Sequence, residues 1–326
     1  LWNLTGGISH KTDYTNASRT LIFDIVDKEW SNELLDILQI PQLILPEVQN
    51  SAGNFGYTKG LSMLKDNIPI SGIAGDQQAA MVGQNCIKEG TVKNTYGTGC
   101  FMLQHSGNNF VLSKNGLLTT LVANDFGEPE YALEGSVFIG GAVIQWLRDY
   151  MDFFNDSSYS ESLAKAAKNK NRVVFVPAFV GLGAPYWKMD ARGAILGITR
   201  DTTREDIVQA ALKSIALQSM DVLQAMESDT GISLKELRVD GGATKNSYLM
   251  QYQADILEIP VKIPMNSEST AVGAAYLAGV GAGLFKTISE IASYNKIKNV
   301  FNPQMDSTFV DFEIDLWKNA INTILK

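Results

Sequence analysis

Residues 237–240, Leu-Arg-Val-Asp, form a short β-type run that breaks at Gly241-Gly242 and leads into a helical pattern over residues 246–257. A strand that ends in a glycine turn and feeds a helix is the building unit of open α/β sheets, where ligand groups gather just past the carboxyl ends of strands. The same junction occurs earlier in the chain. Residues 68–75, an apolar run edged by Pro and Gly, read as a buried strand; Asp76 ends it, and residues 77–84 read as a helix. The expected class is therefore α/β, with the chemistry placed at strand-to-helix junctions.

Between the junctions the pattern turns to strands. Residues 91–96 and 100–104 flank Gly97-Thr98-Gly99 as a hairpin with a glycine-rich turn, and residues 117–122 and 131–134 extend the β-rich part. Residues 136–150 read as a helix and 173–177 as a further buried strand. The clearest helix covers residues 204–229, with Thr203 and Asp206 as a capping box and Gly231 just past its end. A last helix over residues 269–279 is rich in Ala and Gly, which lets backbones approach closely. No repeat or Pro/Ser linker stands out, so a domain boundary near residues 84–91 is expected to be a hinge.

Composition narrows the function classes. With 326 residues, 45% of them hydrophobic, the chain can bury a sizeable core and is long enough for two domains. Twenty-seven Lys and Arg against 35 Asp and Glu give a net charge of −8 without a basic block, a poor footprint for nucleic acid. The longest apolar stretch, residues 271–283, falls short of the roughly 20 residues a membrane span needs. Two cysteines, Cys86 and Cys100, fit packing roles in a reducing compartment, and two histidines, His10 and His105, argue against a His-based zinc site or nucleophile triad. The chain opens at Leu1 without a methionine and is expected to be a fragment.

Glycine turns can cradle phosphate because glycine accepts positive φ and brings no Cβ between backbone N–H groups and the anion. Gly97-Thr98-Gly99 and Gly241-Gly242-Ala243 both qualify, although neither belongs to a Walker A or a G-x-G-x-x-G fingerprint; residues 279–283 imitate the latter but end a helix. Asp76 alone reads more readily as a helix N-cap, the commonest job for an Asp before a helix. The order of features favours more: a strand-end carboxylate, a glycine hairpin and a double-glycine turn suit a cleft that holds a nucleotide opposite a hydroxyl.

These strings, with Thr12-Asp13-Tyr14-Thr15-Asn16-Ala17-Ser18-Arg19-Thr20, Gly72-Ile73-Ala74-Gly75-Asp76-Gln77-Gln78, Gly181-Leu182-Gly183-Ala184-Pro185-Tyr186-Trp187 and Val239-Asp240-Gly241-Gly242-Ala243, resemble the FGGY carbohydrate kinases of the actin-like ATPase superfamily, nearly end to end. Several follow the pattern of the members that phosphorylate glycerol. The resemblance implies a two-domain ribonuclease H-like α/β fold with an incomplete first domain: residues 1–83 would be its substrate-side end and residues 84–326 the nucleotide-side domain. It implies ATP and glycerol as substrates, ADP and sn-glycerol 3-phosphate as products, Mg²⁺ carried on the ATP phosphates, and a cytoplasmic setting, and it admits a homo-oligomer.

By the same resemblance Asp76 is the catalytic base and a substrate contact, Gln77 a second substrate contact, and Phe101 part of an apolar wall against the glycerol carbons. Thr98 would lie near the transferred phosphate, while Gly141, Gln145, Gly242 and Asn246 would hold the adenine nucleotide. The family's Asp-x-Gly-Thr phosphate loop and its remaining glycerol clamp are expected upstream of Leu1. Some bacterial members bind fructose 1,6-bisphosphate through a loop ending in Arg; Asn67 stands at that place here, so weak or no inhibition is expected. Trp187 is expected between the domains, Asp13 as a structural residue, and Glu134 and Asp240 either near a metal or bonded to backbone.

Overall fold

The computed structural model describes residues 1–168, 172–291 and 294–326. Among them a mixed sheet of seven strands runs in the order Ile297–Phe301, Val261–Pro264, Leu237–Asp240, Val92–Tyr96, Cys100–Gly107, Tyr131–Val137 and Leu118–Leu121. Leu237–Asp240 is parallel to both of its neighbours, and the other pairs are antiparallel.

Strand alternation sends Val92 and Tyr96 into the main apolar core and Lys93 and Thr95 to the opposite face. The core face is covered by the helix Arg204–Thr230, whose Val208, Ile215, Val222 and Met226 are fully buried. Its first turn is closed by the expected capping box, with the Asp206 N–H donating to Thr203 Oγ1 (3.4 Å) and the Thr203 N–H to Asp206 Oδ2 (3.0 Å). Gly231, at φ +70°, ends it in the left-handed region.

The other face receives the helix Asp76–Gly83, which lies against Ser269–Gly281 with almost no space between the backbones. A Cβ on Gly273 would sit 1.8 Å from Ala79 O, and one on Gly83 1.9 Å from Ser269 O. The first 83 residues contribute three two-stranded sheets, and their apolar side chains join clusters shared with later residues: Ala52 and Val82 with Leu277 and Ile291, Ala17 and Phe23 with Leu121 and Tyr131.

Three expectations need correction. The segment 136–150 is not one helix: Ser136 and Val137 complete the strand Tyr131–Val137, paired with Phe101 and Cys100, and the helix starts at Ala142. Pairing across the sheet outweighs the local helical pattern there. The strand read over residues 68–75 shortens to Pro69–Gly72, because beyond it Gly75 N–H donates to the Thr15 side chain (2.8 Å) instead of a neighbouring strand. Trp187 meets residues of the segment 84–326 here, not residues 1–83. It is 48% exposed, donates from Nε1 to Gly116 O (2.9 Å), and meets Phe138 edge-on.

Candidate active site

The register of the sheet assembles the site. Tyr96 pairs with Cys100 across the hairpin, so Gly97-Thr98-Gly99 is the whole turn, closed by Gly97 N–H on Gly99 O (2.8 Å). Gly140 and Ala142 N–H donate to Thr98 O (2.8 and 3.1 Å), and Gly141 N–H donates to Gly97 O (2.9 Å), which docks the start of the helix Ala142–Asp149 on the turn. These contacts exclude side chains: a Cβ on Gly99 would lie 2.5 Å from Val137 O, and one on Gly141 2.7 Å from Gly97 O.

Gly241 completes the layer from the neighbouring strand. It sits at φ +91°, where a Cβ would approach Tyr96 O to 2.3 Å, whereas a Cβ on Gly242 would meet nothing within 4 Å. Asn246 caps the next helix, Ser247–Leu257, by accepting from Leu249 N–H (3.0 Å), and it donates to Ser160 Oγ (3.2 Å).

Thr98, Gly141, Gln145, Gly242 and Asn246 all line one cavity of about 540 Å³. That volume lies in the range of small-molecule sites, and the lining mixes apolar walls with a few polar groups as such sites do. Ile144, Leu212 and Ile215 supply the walls, and Ser160, Glu161 and Lys245 add polar rims. None of these six was singled out from sequence as a site residue. Their roles come from helix faces that only tertiary packing brings together. Thr98 also borders a second, more open cavity with Phe101, Phe138 and Met189, where Phe101 is 39% exposed.

Asp76 is exposed at the first position of its helix; Gly75 is the N-cap, so the capping role passes to the glycine. The Asp76 carboxylate accepts from Gln77 N–H at Oδ1 (2.8 Å) and from Gln77 Nε2 at Oδ2 (3.2 Å). Gln77 Oε1 in turn accepts from the ammonium of Lys93. The backbone before Asp76 is held by a buried carboxylate. Asp13 accepts from Thr15 Oγ1 (2.6 Å), Ser51 Oγ (2.7 Å) and Asn16 Nδ2 (2.6 Å), and Thr15 Oγ1 accepts from Gly75 N–H.

Two other carboxylates face this side of the sheet. Glu134 accepts two bonds from the Arg19 guanidinium (2.6 and 3.1 Å), in place of a backbone partner. Asp240 is buried, and its Oδ1 has no hydrogen-bond partner. Lys93 is fully buried, and burial pulls its pKa down to about 8 against the opposing pull of Asp240, Glu134, Cys86 and Asp76. Cys86 and Cys100 are free and buried, and burial pushes both thiols up to about 12. Such thiols stay protonated and pack as small apolar groups. Among the described residues no helix is long and apolar enough to cross a membrane.

Residues 92–282 match the C-terminal domain of the FGGY family of carbohydrate kinases, and residues 1–83 match its N-terminal domain. The chain is 53% identical over 326 residues to a glycerol kinase of Alkaliphilus oremlandii and 52% identical to one of Haemophilus influenzae; it is covered completely and spans 65% of each relative. It superimposes on the crystal structure of Plasmodium falciparum glycerol kinase with ADP at a TM-score of 0.92 and 38% identity, covering all of this chain and 65% of that one. From its sheet-edge glycine turns to these matches, the chain belongs to the FGGY family of carbohydrate kinases.

Proposed function

We propose that the full-length protein is a glycerol kinase that moves the γ-phosphoryl group of ATP to glycerol, giving ADP and sn-glycerol 3-phosphate. The observation that carries this reading is the position of Thr98, which borders both the cavity of Gly141, Gln145, Gly242 and Asn246 and the open cavity of Phe101. A phosphoryl group leaving a nucleotide in the first cavity would pass the Gly97–Gly99 turn to reach an alcohol on the other side. Identity above 50% to glycerol kinases supports glycerol as that alcohol.

In this reading residues 1–83 form the substrate side and residues 84–326 the nucleotide side. The adenosine lies against Ile144, Leu212 and Ile215, with Gly242 leaving room for it because its α-carbon faces open space. Asp76 aligns the glycerol hydroxyl and accepts its proton as the oxygen bonds to the γ-phosphorus and the bond from that phosphorus to the β-phosphate oxygen breaks. Gln77 binds a neighbouring hydroxyl, and Phe101 packs on the carbon chain.

Among the described residues no group of three or more His, Cys, Asp or Glu is placed to hold a metal ion. Mg²⁺ fits as the oxygen-bound counterion of the triphosphate and would supply charge neutralisation at the phosphoryl oxygens. A cytoplasmic protein, where ATP and reduced thiols coexist, agrees with the two free cysteines.

A substrate panel on the full-length protein tests the reading. Glycerol should give the highest kcat/KM among glycerol, xylulose and gluconate with ATP as donor; a higher value for either sugar substrate overturns it.

A further inference from the structure

Lys93 is a buried cation for which the reaction as described has no use. It lies on the strand Val92–Tyr96, which ends at the Gly97–Gly99 turn, and its ammonium donates to Gln77 Oε1 and to Thr95 Oγ1 (3.1 Å). An ammonium can only donate, so Gln77 must present its carbonyl oxygen to Lys93. The amide N–H₂ is thereby left to face Asp76, where it donates to Oδ2 at 3.2 Å. One donor thus fixes the orientation of an otherwise two-fold ambiguous amide, and the amide fixes the carboxylate.

The surroundings give the ammonium no competing ion pair. Asp240 from the strand Leu237–Asp240, Glu134 from Tyr131–Val137, Cys86 beyond the helix Asp76–Gly83, and Asp76 itself face Lys93. Glu134 is taken by Arg19, and among the described residues no salt bridge to Lys93 forms. Its hydrogen bonds therefore go to Gln77, which leads on to Asp76, and to Thr95.

We propose that Lys93 is a positioning residue of the phosphoryl-transfer site: by locking the Gln77 amide toward Asp76, it ties the carboxylate to the strand that carries the phosphate turn. This rests on Asp76 being the base. Loss of the ammonium leaves Gln77 free to flip its amide.

The test is kinetic, on the full-length protein. Lys93→Met should lower kcat about 10- to 100-fold, the scale expected for misplacement of a reacting group, with KM for ATP changed less than about twofold on the same reasoning. In a Gln77→Ala background the same substitution should have little further effect, because Lys93 acts through Gln77.

Full additivity of the two substitutions, or a Lys93→Met enzyme with wild-type kcat, overturns the proposal. If Lys93→Met does not fold, wild type and Gln77→Ala are compared instead. A limb of lost activity near pH 8, where Lys93 discharges, should be present in the first and absent in the second, and its persistence in Gln77→Ala overturns the proposal. Asp76→Asn separates the two readings: near-wild-type turnover there refutes the base itself, whereas an inactive Asp76→Asn beside an unaffected Lys93→Met refutes only the positioning role.

Discussion

Asp240 and Thr95 stand opposite each other in the parallel pair of central strands. The residues that follow them, Gly241-Gly242 and Gly97-Thr98-Gly99, therefore leave the sheet at the same edge and stack with Gly140 and Gly141 into one layer of backbone. Parallel pairing in this register is what turns two glycine turns about 145 residues apart in sequence, Gly97 and Gly242, into one wall of a cavity.

Adjacent glycines in that layer should respond in opposite ways. At Gly241 a Cβ meets Tyr96 O at 2.3 Å on a backbone with φ +91°, so Gly241→Ala should cost about 2 kcal/mol or more in denaturant unfolding. At Gly242 a Cβ has open space within 4 Å, so Gly242→Val should unfold within about 1 kcal/mol of wild type. The valine side chain would occupy the cavity, and ATP affinity measured by calorimetry should fall at least about tenfold, the equivalent of 1.4 kcal/mol. Unchanged ATP binding by a folded Gly242→Val protein would place the nucleotide elsewhere.

Both glycine turns, the strand-to-helix junction at Asp76 and the long capped helix were legible in sequence because each is a local signal: a φ requirement, a cap, a change of period. What stayed hidden depends on partners far along the chain. Ser136 and Val137 look helical until Phe101 and Cys100 pair with them. Lys93, inside Val92-Lys93-Asn94-Thr95, has the pattern of a solvent-facing lysine on an alternating strand, and only the helix Asp76–Gly83 laid over that face buries it. Leu212 and Ile215 read as core positions of a long helix, which they are, while also lining the cavity.

Close contact between the helices Asp76–Gly83 and Ser269–Gly281 depends on Gly273, whose Cβ position is 1.8 Å from Ala79 O. A methyl group there must push the two backbones apart. Gly273→Ala should destabilise by about 3 kcal/mol in urea unfolding, despite alanine's better helix propensity. Because Asp76 begins the displaced helix, kcat should fall in the fraction that remains folded. Stability equal to or above wild type would show that the interface relaxes at little cost.

Asp13 supports the backbone before Asp76 and touches neither cavity. Removing its carboxylate strands the Thr15 and Ser51 hydroxyls, the Asn16 amide and two backbone N–H groups, all of which now donate to it. Asp13→Ala should therefore cost about 3 kcal/mol, the scale for several buried donors left unpaired. A thermal melt resolves this directly, and a Tm within about 1 °C of wild type, less than about 1 kcal/mol for a chain of this size, would contradict the anchoring role.

Asp221 lies on the buried face of the helix Arg204–Thr230 and accepts from Trp317 Nε1 at 2.7 Å. Burial raises its pKa from 3.8 to about 6, against the hydrogen bonds from Trp317 and Tyr186 that favour the charged form. The folded state therefore holds a proton that the unfolded chain has released between about pH 4 and pH 6. Stability from this group is fully present below the unfolded value and falls as pH rises toward the folded value, after which the loss is constant. A shift of about 2 units corresponds to at most about 3 kcal/mol. Asp221→Asn cannot ionise, so its unfolding free energy should decline less steeply than wild type from pH 4 to pH 6. Parallel curves for the two proteins over that window would mean that Asp221 is already ionised in the fold at pH 4.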